Sequence, residues 1–221
     1  MTKARTRLAS LLATLSRHHG RTPAPPGDAW QLILRENVVY LVDDPVRDRA
    51  MAALQQATGL DARKIARCPD EVLLQACSLG RMAAQQVRKL RECAALFAEV
   101  GDPRDLVQLP RPAAKKALKR FPGIGDPGVD MLRLLSGVEP VLAMDSNALR
   151  VLLRLGYGLE AKAYSTSYRS AQQAAMAELP ADVTALQKAY AVLRRHGKEL
   201  CRNTAPLCHE CPVRGDCPAA S

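Results

Sequence analysis

The chain has 221 residues, of which 48% are hydrophobic and 4% aromatic, so it is no disordered polymer and suits one large domain or two small ones. Lys and Arg number 32 against 22 Asp and Glu, giving a net charge of +10. That surplus is typical of proteins with a polyanionic partner, although a basic soluble surface also produces it. No apolar run is long enough to span a bilayer.

Apolar residues recur at helical spacing along almost the whole chain, without a convincing alternating strand pattern. The predicted fold class is therefore all-α. A Pro- and Gly-rich joint at 21–30 follows a first helix at 5–18, and an ordinary helix is preferred there over a weak targeting segment. The later predicted helices are, in chain order, 30–42, 44–56, one from 61, 71–79, 82–99, 110–120, one from 126, 146–155, 163–178 and 182–196.

The segment LKRFPGIGDPGVDMLRLL joins two of these helices by a tight turn. Gly123 and Gly125 flank Ile124, and Asp126-Pro127 is a well-formed helix start. Glycines at the turn leave room for a ligand close to the backbone, and amides at a helix N-terminus suit a phosphate oxygen. The alternative is an ordinary helix-to-helix turn with Ile124 in the core.

Cysteines are concentrated at the C-terminus, where four lie within 17 residues and indicate a metal or cluster site in a reducing compartment. The four are Cys201, Cys208, Cys211 and Cys217. Tetrahedral zinc and disulfides are the generic alternatives for such a set. The other three, Cys68, Cys77 and Cys93, lie in or beside predicted helices without metal spacing and are expected in the core.

The turn at 121–125, the sequence MDSNALRVLLRL about twenty residues later and the segment HGKELC before the cysteines together resemble the helix-hairpin-helix DNA glycosylase superfamily, in particular the endonuclease III and adenine glycosylase families. The resemblance implies two lobes, a six-helix barrel at 26–136 and a discontinuous lobe of 1–25 and 137–221. It implies a [4Fe-4S] cluster held by the four C-terminal cysteines. It also implies a partner, double-stranded DNA with a flipped-out damaged or mispaired base.

Two carboxylates are the catalytic candidates. Asp145 matches the superfamily's catalytic aspartate, and its alternative is a plain helix N-cap. Glu36 matches a catalytic Glu when Trp30 and Leu34 are aligned with the early helix of the adenine glycosylases, and its alternative is a solvent-facing residue. Glu36 would protonate the leaving base, and its apolar neighbours favour burial. Asp145 would stabilise the cationic sugar and orient water.

The resemblance also indicates which mechanism to expect. In endonuclease III a Schiff-base Lys stands at the second residue after the turn, where this chain has Pro127. Because Pro has no free amine, we expect a monofunctional glycosylase without lyase activity. The alternatives are a bifunctional lyase using another amine, a non-catalytic lesion- or structure-binding protein, and an unrelated metal-sensing regulator.

DNA contacts are expected from the turn and from two further places. The Gln residues that follow the early helix in these families are absent, which puts their usual substrates in doubt, and Tyr40 stands nearby as a stacking or packing residue. Arg81 and Met82 fall where the family has a wedge loop. The full set of expected DNA contacts is Gly123, Ile124, Gly125, Lys119, Arg120, Tyr40, Arg81 and Met82. We expect a monomer in a bacterial cytoplasm, and the sequence does not name the excised base.

Overall fold

A computed structural model describes residues 6–220 of the chain, and within them it contains α-helices, two 3₁₀ helices at Cys208–Glu210 and Arg214–Asp216, and no strand. The all-α prediction is confirmed. None of these helices is long and apolar enough to cross a membrane. The α-helices of the described residues are α1 (Arg7–His19), α2 (Ala29–Val38), α3 (Asp44–Thr58), α4 (Ala62–Arg67), α5 (Asp70–Cys77), α6 (Ala83–Val100), α7 (Pro103–Leu106), α8 (Arg111–Leu118), α9 (Asp126–Leu135), α10 (Ser146–Arg154), α11 (Tyr164–Met176) and α12 (Val183–Glu199).

Aspartate caps explain where many of these helices begin. A side-chain oxygen of the residue before the helix accepts the backbone N–H three residues on, which satisfies a donor that the helix itself leaves free. Aspartates cap α2, α3, α4, α10 and α12 in this way: Asp28, Asp43, Asp61, Asp145 and Asp182. The predicted starts therefore agree closely with the structure.

The observed helices depart most from the prediction at two places. The helix expected over 30–42 ends at Val38, because Val39 is extended and Leu41 has a φ of 55°. The short α7 was not predicted; a single turn has no hydrophobic period to detect, although Asp102 caps it and Pro103 occupies its first position.

The chain divides into two compact units, one of residues 27–132 and the other of 6–26 with 133–220. In the first, Trp30 is buried, donates from Nε1 to the Leu60 carbonyl at 2.7 Å and packs edge-on against Phe97. Trp30 is therefore a core residue of this unit. It fixes α2, the helix that carries Glu36, to the rest of the unit.

The second unit joins the beginning of the described chain to its end. Thr6 donates from its hydroxyl to the Glu178 carbonyl at 2.8 Å, and the Leu8 amide donates to the Glu178 carboxylate at 2.6 Å. Gly197 lets α12 approach α10 closely, since a Cβ there would come within 2.5 Å of the Asn147 carbonyl oxygen. This contact places the N-terminal end of α10 beside α12.

Candidate functional site

The glycine turn between α8 and α9 is built as a tight corner of the 27–132 unit. Gly123 has a φ of 75°, which a residue with a side chain rarely adopts, and both turn glycines are exposed. Ile124 is buried instead, so its side chain fills the core, and any contact it makes with DNA comes from its backbone. The Gly125 carbonyl accepts from the Val129 amide and opens α9, whose first-turn amides have no carbonyl partner within the helix.

Asn37 holds this turn from the side and was missed by the sequence reasoning. Its buried amide donates from Nδ2 to the Pro122 carbonyl at 2.8 Å and to the Ile33 carbonyl at 2.9 Å. A polar residue within the apolar run of α2 was the available signal. Asn37 thereby couples the end of α2 to the turn at 121–125.

The basic residues of the turn are held by acids. Lys115 and Lys119 both contact the Asp126 carboxylate, at 2.8 and 2.7 Å, and hydrogen bonds from these two lysines hold the pKa of Asp126 below its usual range. Arg120 pairs with Glu99 at 2.7 Å. Lys119 and Arg120, both expected to contact DNA, thus have carboxylate partners in the protein alone. All these pairs are largely exposed, where ion pairs are weak and open to exchange.

Glu36 lies near the C-terminal end of α2 with its side chain exposed. The burial expected from its apolar neighbours is wrong, because Leu34 and Val38 turn into the core while Glu36 falls on the opposite side of the helix. Asp145 belongs to the other unit. The structure therefore describes the two carboxylate candidates in separate settings.

Two short segments, one directly after α2 and one directly before α6, meet and form an exposed tip that contains Tyr40, Leu41, Arg81 and Met82. A backbone hydrogen bond of 3.2 Å from the Arg81 amide to the Tyr40 carbonyl joins the two segments. Tyr40 is 46% exposed, Leu41 67% and Met82 57%. Leu41 and Met82 both have left-handed backbone conformations, with φ of 55° and 60°. Tyr40, Arg81 and Met82 are thus brought together as neighbours, and Leu41 is a fourth member that sequence reasoning missed.

Asp145 is held at the start of α10 by contacts to both carboxylate oxygens. Oδ1 accepts the Ala148 amide at 2.8 Å, so the N-cap alternative is part of the structure. Oδ2 accepts Nδ2 of Asn147 at 3.2 Å and lies 3.2 Å from Nε of Arg194 on α12. The side chain is about 29% exposed, so the carboxylate is oriented and still reachable.

A chain of hydrogen bonds leads from Asp145 towards the cysteines. Arg150 donates to Oδ1 of Asn147 at 2.9 Å and to the carbonyls of Gly197 and Cys201 at 2.7 and 2.8 Å. Burial lowers the pKa of the Arg150 guanidinium. The orientation of Asp145 thus depends on contacts that extend to the first C-terminal cysteine.

The four C-terminal cysteines all line one cavity of about 120 Å³ whose walls are largely apolar. All seven cysteines are free thiols, so the disulfide alternative is not what the structure shows. Within residues 6–220 no group of three or more His, Cys, Asp or Glu side chains is arranged to hold a single metal ion. The four cysteines thus share the lining of one cavity, without forming a metal-binding group among the described residues.

Two buried histidines support the wall of this cavity. His196 lies 3.6 Å from Sγ of Cys211 through Nε2 and 3.1 Å from Nε2 of His19 through Nδ1. Burial lowers the pKa of His196 to about 4, so its ring is neutral near neutral pH. A neutral ring can donate one hydrogen bond and accept another, which matches its position between a thiol and a second imidazole.

The three other cysteines differ among themselves. Cys77 and Cys93 are fully buried, and burial raises the pKa of each thiol to about 12, which agrees with the core prediction. Cys68 is only half-buried, so its assignment to the core is wrong; it follows α4 in an extended conformation rather than lying on an inward helix face.

No protein-family model and no curated protein sequence matches the chain. Solved structures are similar in fold. An endonuclease III trapped as a covalent intermediate with DNA has a TM-score of 0.76 and 15% identity, covering 99% of this chain and 98% of that one. A thermostable thymine-DNA glycosylase has a TM-score of 0.72 and 15% identity, with 96% and 94% covered. The H. pylori 3-methyladenine DNA glycosylase bound to 1,N6-ethenoadenine has a TM-score of 0.60 and 16% identity, with 86% and 92% covered.

Proposed function

Because the chain has the fold of the helix-hairpin-helix DNA glycosylases, we propose that it is a DNA glycosylase of base excision repair. Its partner would be double-stranded DNA carrying a damaged or mispaired base, flipped out of the stack. The single observation that carries this proposal is the Asp145 carboxylate, held on both oxygens at a helix start and still accessible. The net charge of +10 supports a polyanionic partner.

Asp145 would act on the deoxyribose. As the N-glycosidic bond breaks, the base leaves with the bonding electron pair and positive charge develops on the sugar. A carboxylate that is already oriented stabilises this charge without reorganising during the reaction. Water then adds to the sugar carbon and loses a proton, leaving an abasic site in an intact strand.

Glu36 is proposed as the acid that gives a proton to the departing base. Its support comes from the resemblance of the segment around Trp30 and Leu34 to the early helix of the adenine glycosylases, and from its place on α2, one residue before Asn37. The exposed side chain of Glu36 is accessible to a ligand, but its own unit does not bury the carboxyl group away from water. Its role is therefore separable from that of Asp145 by mutation.

Hydrolysis rather than a Schiff base is proposed because no amine stands in α9. Pro127 occupies the second position of that helix. The preceding segment has three lysines: Lys115 and Lys119 are bound to Asp126, and Lys116 lies exposed on α8, outside the helix where the Schiff-base amine is expected. A Schiff base needs a free neutral amine at the sugar, and a lysine in an ion pair is charged.

DNA contacts are proposed at two surfaces of the 27–132 unit. Exposed backbone at Gly123 and Gly125 and the first-turn amides of α9 suit a phosphate. The exposed tip of Leu41 and Met82 suits insertion between bases, since apolar wedges are used in this way by proteins that kink DNA. Tyr40 and Arg81, joined by the backbone bridge, would flank that wedge.

The C-terminal cysteines are proposed to hold a [4Fe-4S] cluster. The support is that the four thiols line one largely apolar cavity of about 120 Å³, since such a cluster takes four cysteine ligands around an inorganic core. The cluster would stabilise this part of the chain. Cys201, Cys208, Cys211 and Cys217 are the proposed ligands.

A base-release screen tests the proposed function. Duplexes would carry uracil, thymine opposite guanine, adenine opposite oxidised guanine, alkylated purines, oxidised pyrimidines or hypoxanthine, and each reaction would be read with and without alkali. We expect strand breaks on one or more duplexes only after alkali. No release from any duplex, with DNA binding intact, would instead identify a non-catalytic recognition protein.

A further inference from the structure

A second and larger cavity lies beside Asp145, within the unit of 6–26 and 133–220. Its volume is about 770 Å³ and its lining includes Ser146, the residue after Asp145, together with Arg150, Lys162 and Tyr164. None of the proposed steps uses Lys162 or Tyr164. The cavity is large enough for a nucleotide.

Tyr164 presents an aromatic face to this cavity. It is 47% exposed, and the ring of Tyr168 packs on it with centroids 6.3 Å apart and planes at 29°. Burial, and to a lesser extent the charge of Asp145, raises the pKa of the Tyr164 hydroxyl. An exposed aromatic ring backed by a second ring is a preformed stacking platform.

The charge around this ring is positive. Arg150, Arg154 and Lys162 line the cavity against one carboxylate, Glu160. The two arginines are engaged with backbone carbonyls, as Arg154 donates to the Arg202 carbonyl at 2.7 Å. Lys162 is exposed, two residues before Tyr164, and is the cation placed to meet an anion from solvent.

We propose that this cavity binds the nucleotide that neighbours, on the same DNA strand, the one that loses its base. Tyr164 would stack on the base of this neighbouring nucleotide, and Lys162 would contact its phosphate. Aromatic stacking beside a cation is how proteins hold single nucleotides without reading their sequence. The proposal rests on the proposed function, since it assumes DNA as the ligand. It adds a site beside Asp145, within the unit of 6–26 and 133–220.

The test measures binding rather than base release, so it does not depend on finding the substrate. Wild type, Tyr164→Phe, Tyr164→Ala and Lys162→Met would be titrated with a duplex containing a tetrahydrofuran abasic analogue. We expect Tyr164→Ala to weaken binding by about tenfold, within the range known for base–aromatic stacking, and Tyr164→Phe to change it less than about twofold. Lys162→Met should reduce the salt slope by about one.

A fluorescent base separates stacking from general damage. 2-Aminopurine beside the abasic analogue should be quenched by wild type and Tyr164→Phe and not by Tyr164→Ala. Lys188→Met, an exposed lysine on α12 outside the cavity, and Leu159→Ala, in the same loop as Lys162, are the matched controls. Wild-type affinity, salt slope and quenching in both Tyr164→Ala and Lys162→Met would overturn the proposal. If wild type binds no duplex, the proposed function fails as well.

Discussion

Two aspartates at helix starts, Asp126 on α9 and Asp145 before α10, are held in contrasting ways. Asp126 is bound by the exposed ammonium groups of Lys115 and Lys119. Asp145 is bound by a backbone amide, by Asn147 and by Arg194, and Asn147 continues through Arg150 towards the cysteines. Exposed ion pairs exchange readily with other ions, whereas a carboxylate fixed by several directional contacts keeps its orientation. We therefore expect changes at Asp126 to alter DNA binding and changes at Asp145 to alter the proposed reaction.

The largest expected effect comes from removing the charge of the second aspartate. Asp145→Asn should lower the single-turnover rate of base release by about 1000-fold, the upper range for losing one preorganised electrostatic contact. DNA affinity should change less than about twofold, because other surfaces make the contacts. Asp182→Asn is the matched control, since Asp182 caps α12 by the same geometry. Because Asn caps a helix as well as Asp, an unchanged rate in Asp145→Asn would mean that Asp145 is only a helix cap.

The next effect concerns the cysteines at the far end of the Asp145 contacts. Cys211→Ser should lose iron and, with it, the broad absorption near ~400 nm that is expected of a thiolate-bound iron–sulfur cluster. It should also lower Tm by about 10 °C, since each kcal/mol of lost stability moves Tm by roughly 2–4 °C in a chain of this size. Cys68→Ser is the control outside the cavity. A colourless wild-type protein containing zinc would refute the cluster.

Arg194 tests whether Asp145 is positioned from α12. Arg194→Met should lower the single-turnover rate by about tenfold while leaving Kd for DNA nearly unchanged. The reason is that a less well oriented Asp145 would raise the activation free energy by about 1.4 kcal/mol, which corresponds to a factor of ten in rate. Arg194→Lys should recover part of that rate. A weaker affinity for DNA (a higher Kd) with an unchanged single-turnover rate would assign Arg194 to DNA binding instead. Lys188→Met on the same helix controls for the change in net charge.

A smaller effect, of opposite sign, is expected at the first aspartate. Asp126→Asn frees Lys115 and Lys119 for phosphate, so nonspecific binding should tighten by about three- to tenfold at low salt, with a steeper salt slope. Asp70→Asn is the matched control, as Asp70 begins α5 and pairs with Arg91. Unchanged affinity and slope in Asp126→Asn would show that these lysines do not reach DNA.

Much of this arrangement could be predicted from sequence because it depends on local chemistry. Helix starts follow from aspartates such as Asp28 and Asp61, and the spacing of the cysteines is visible in the chain itself. Partners distant in sequence could not be predicted. Arg194 is 49 residues from Asp145, and its contact depends on Gly197 letting two helices approach.

Helix faces explain the remaining differences. The apolar neighbours of Glu36 suggested burial, yet a helix turns about 100° per residue, so adjacent residues face different sides. Ile124 is buried while the glycines beside it are exposed. The sequence pattern thus identifies the candidate site residues, and packing decides which of their atoms are exposed to a ligand.

Borohydride trapping beside a strand-break assay tests the central claim, hydrolysis by Asp145 without an enzyme amine, most directly. Wild type and Asp145→Asn would be incubated with the duplex chosen by the base-release screen, with and without sodium borohydride. We expect intact strands before alkali, breaks after alkali, no covalent protein–DNA adduct, and base release slowed by about 1000-fold in Asp145→Asn. A borohydride-dependent adduct, or base release at the wild-type rate in Asp145→Asn, would contradict this claim.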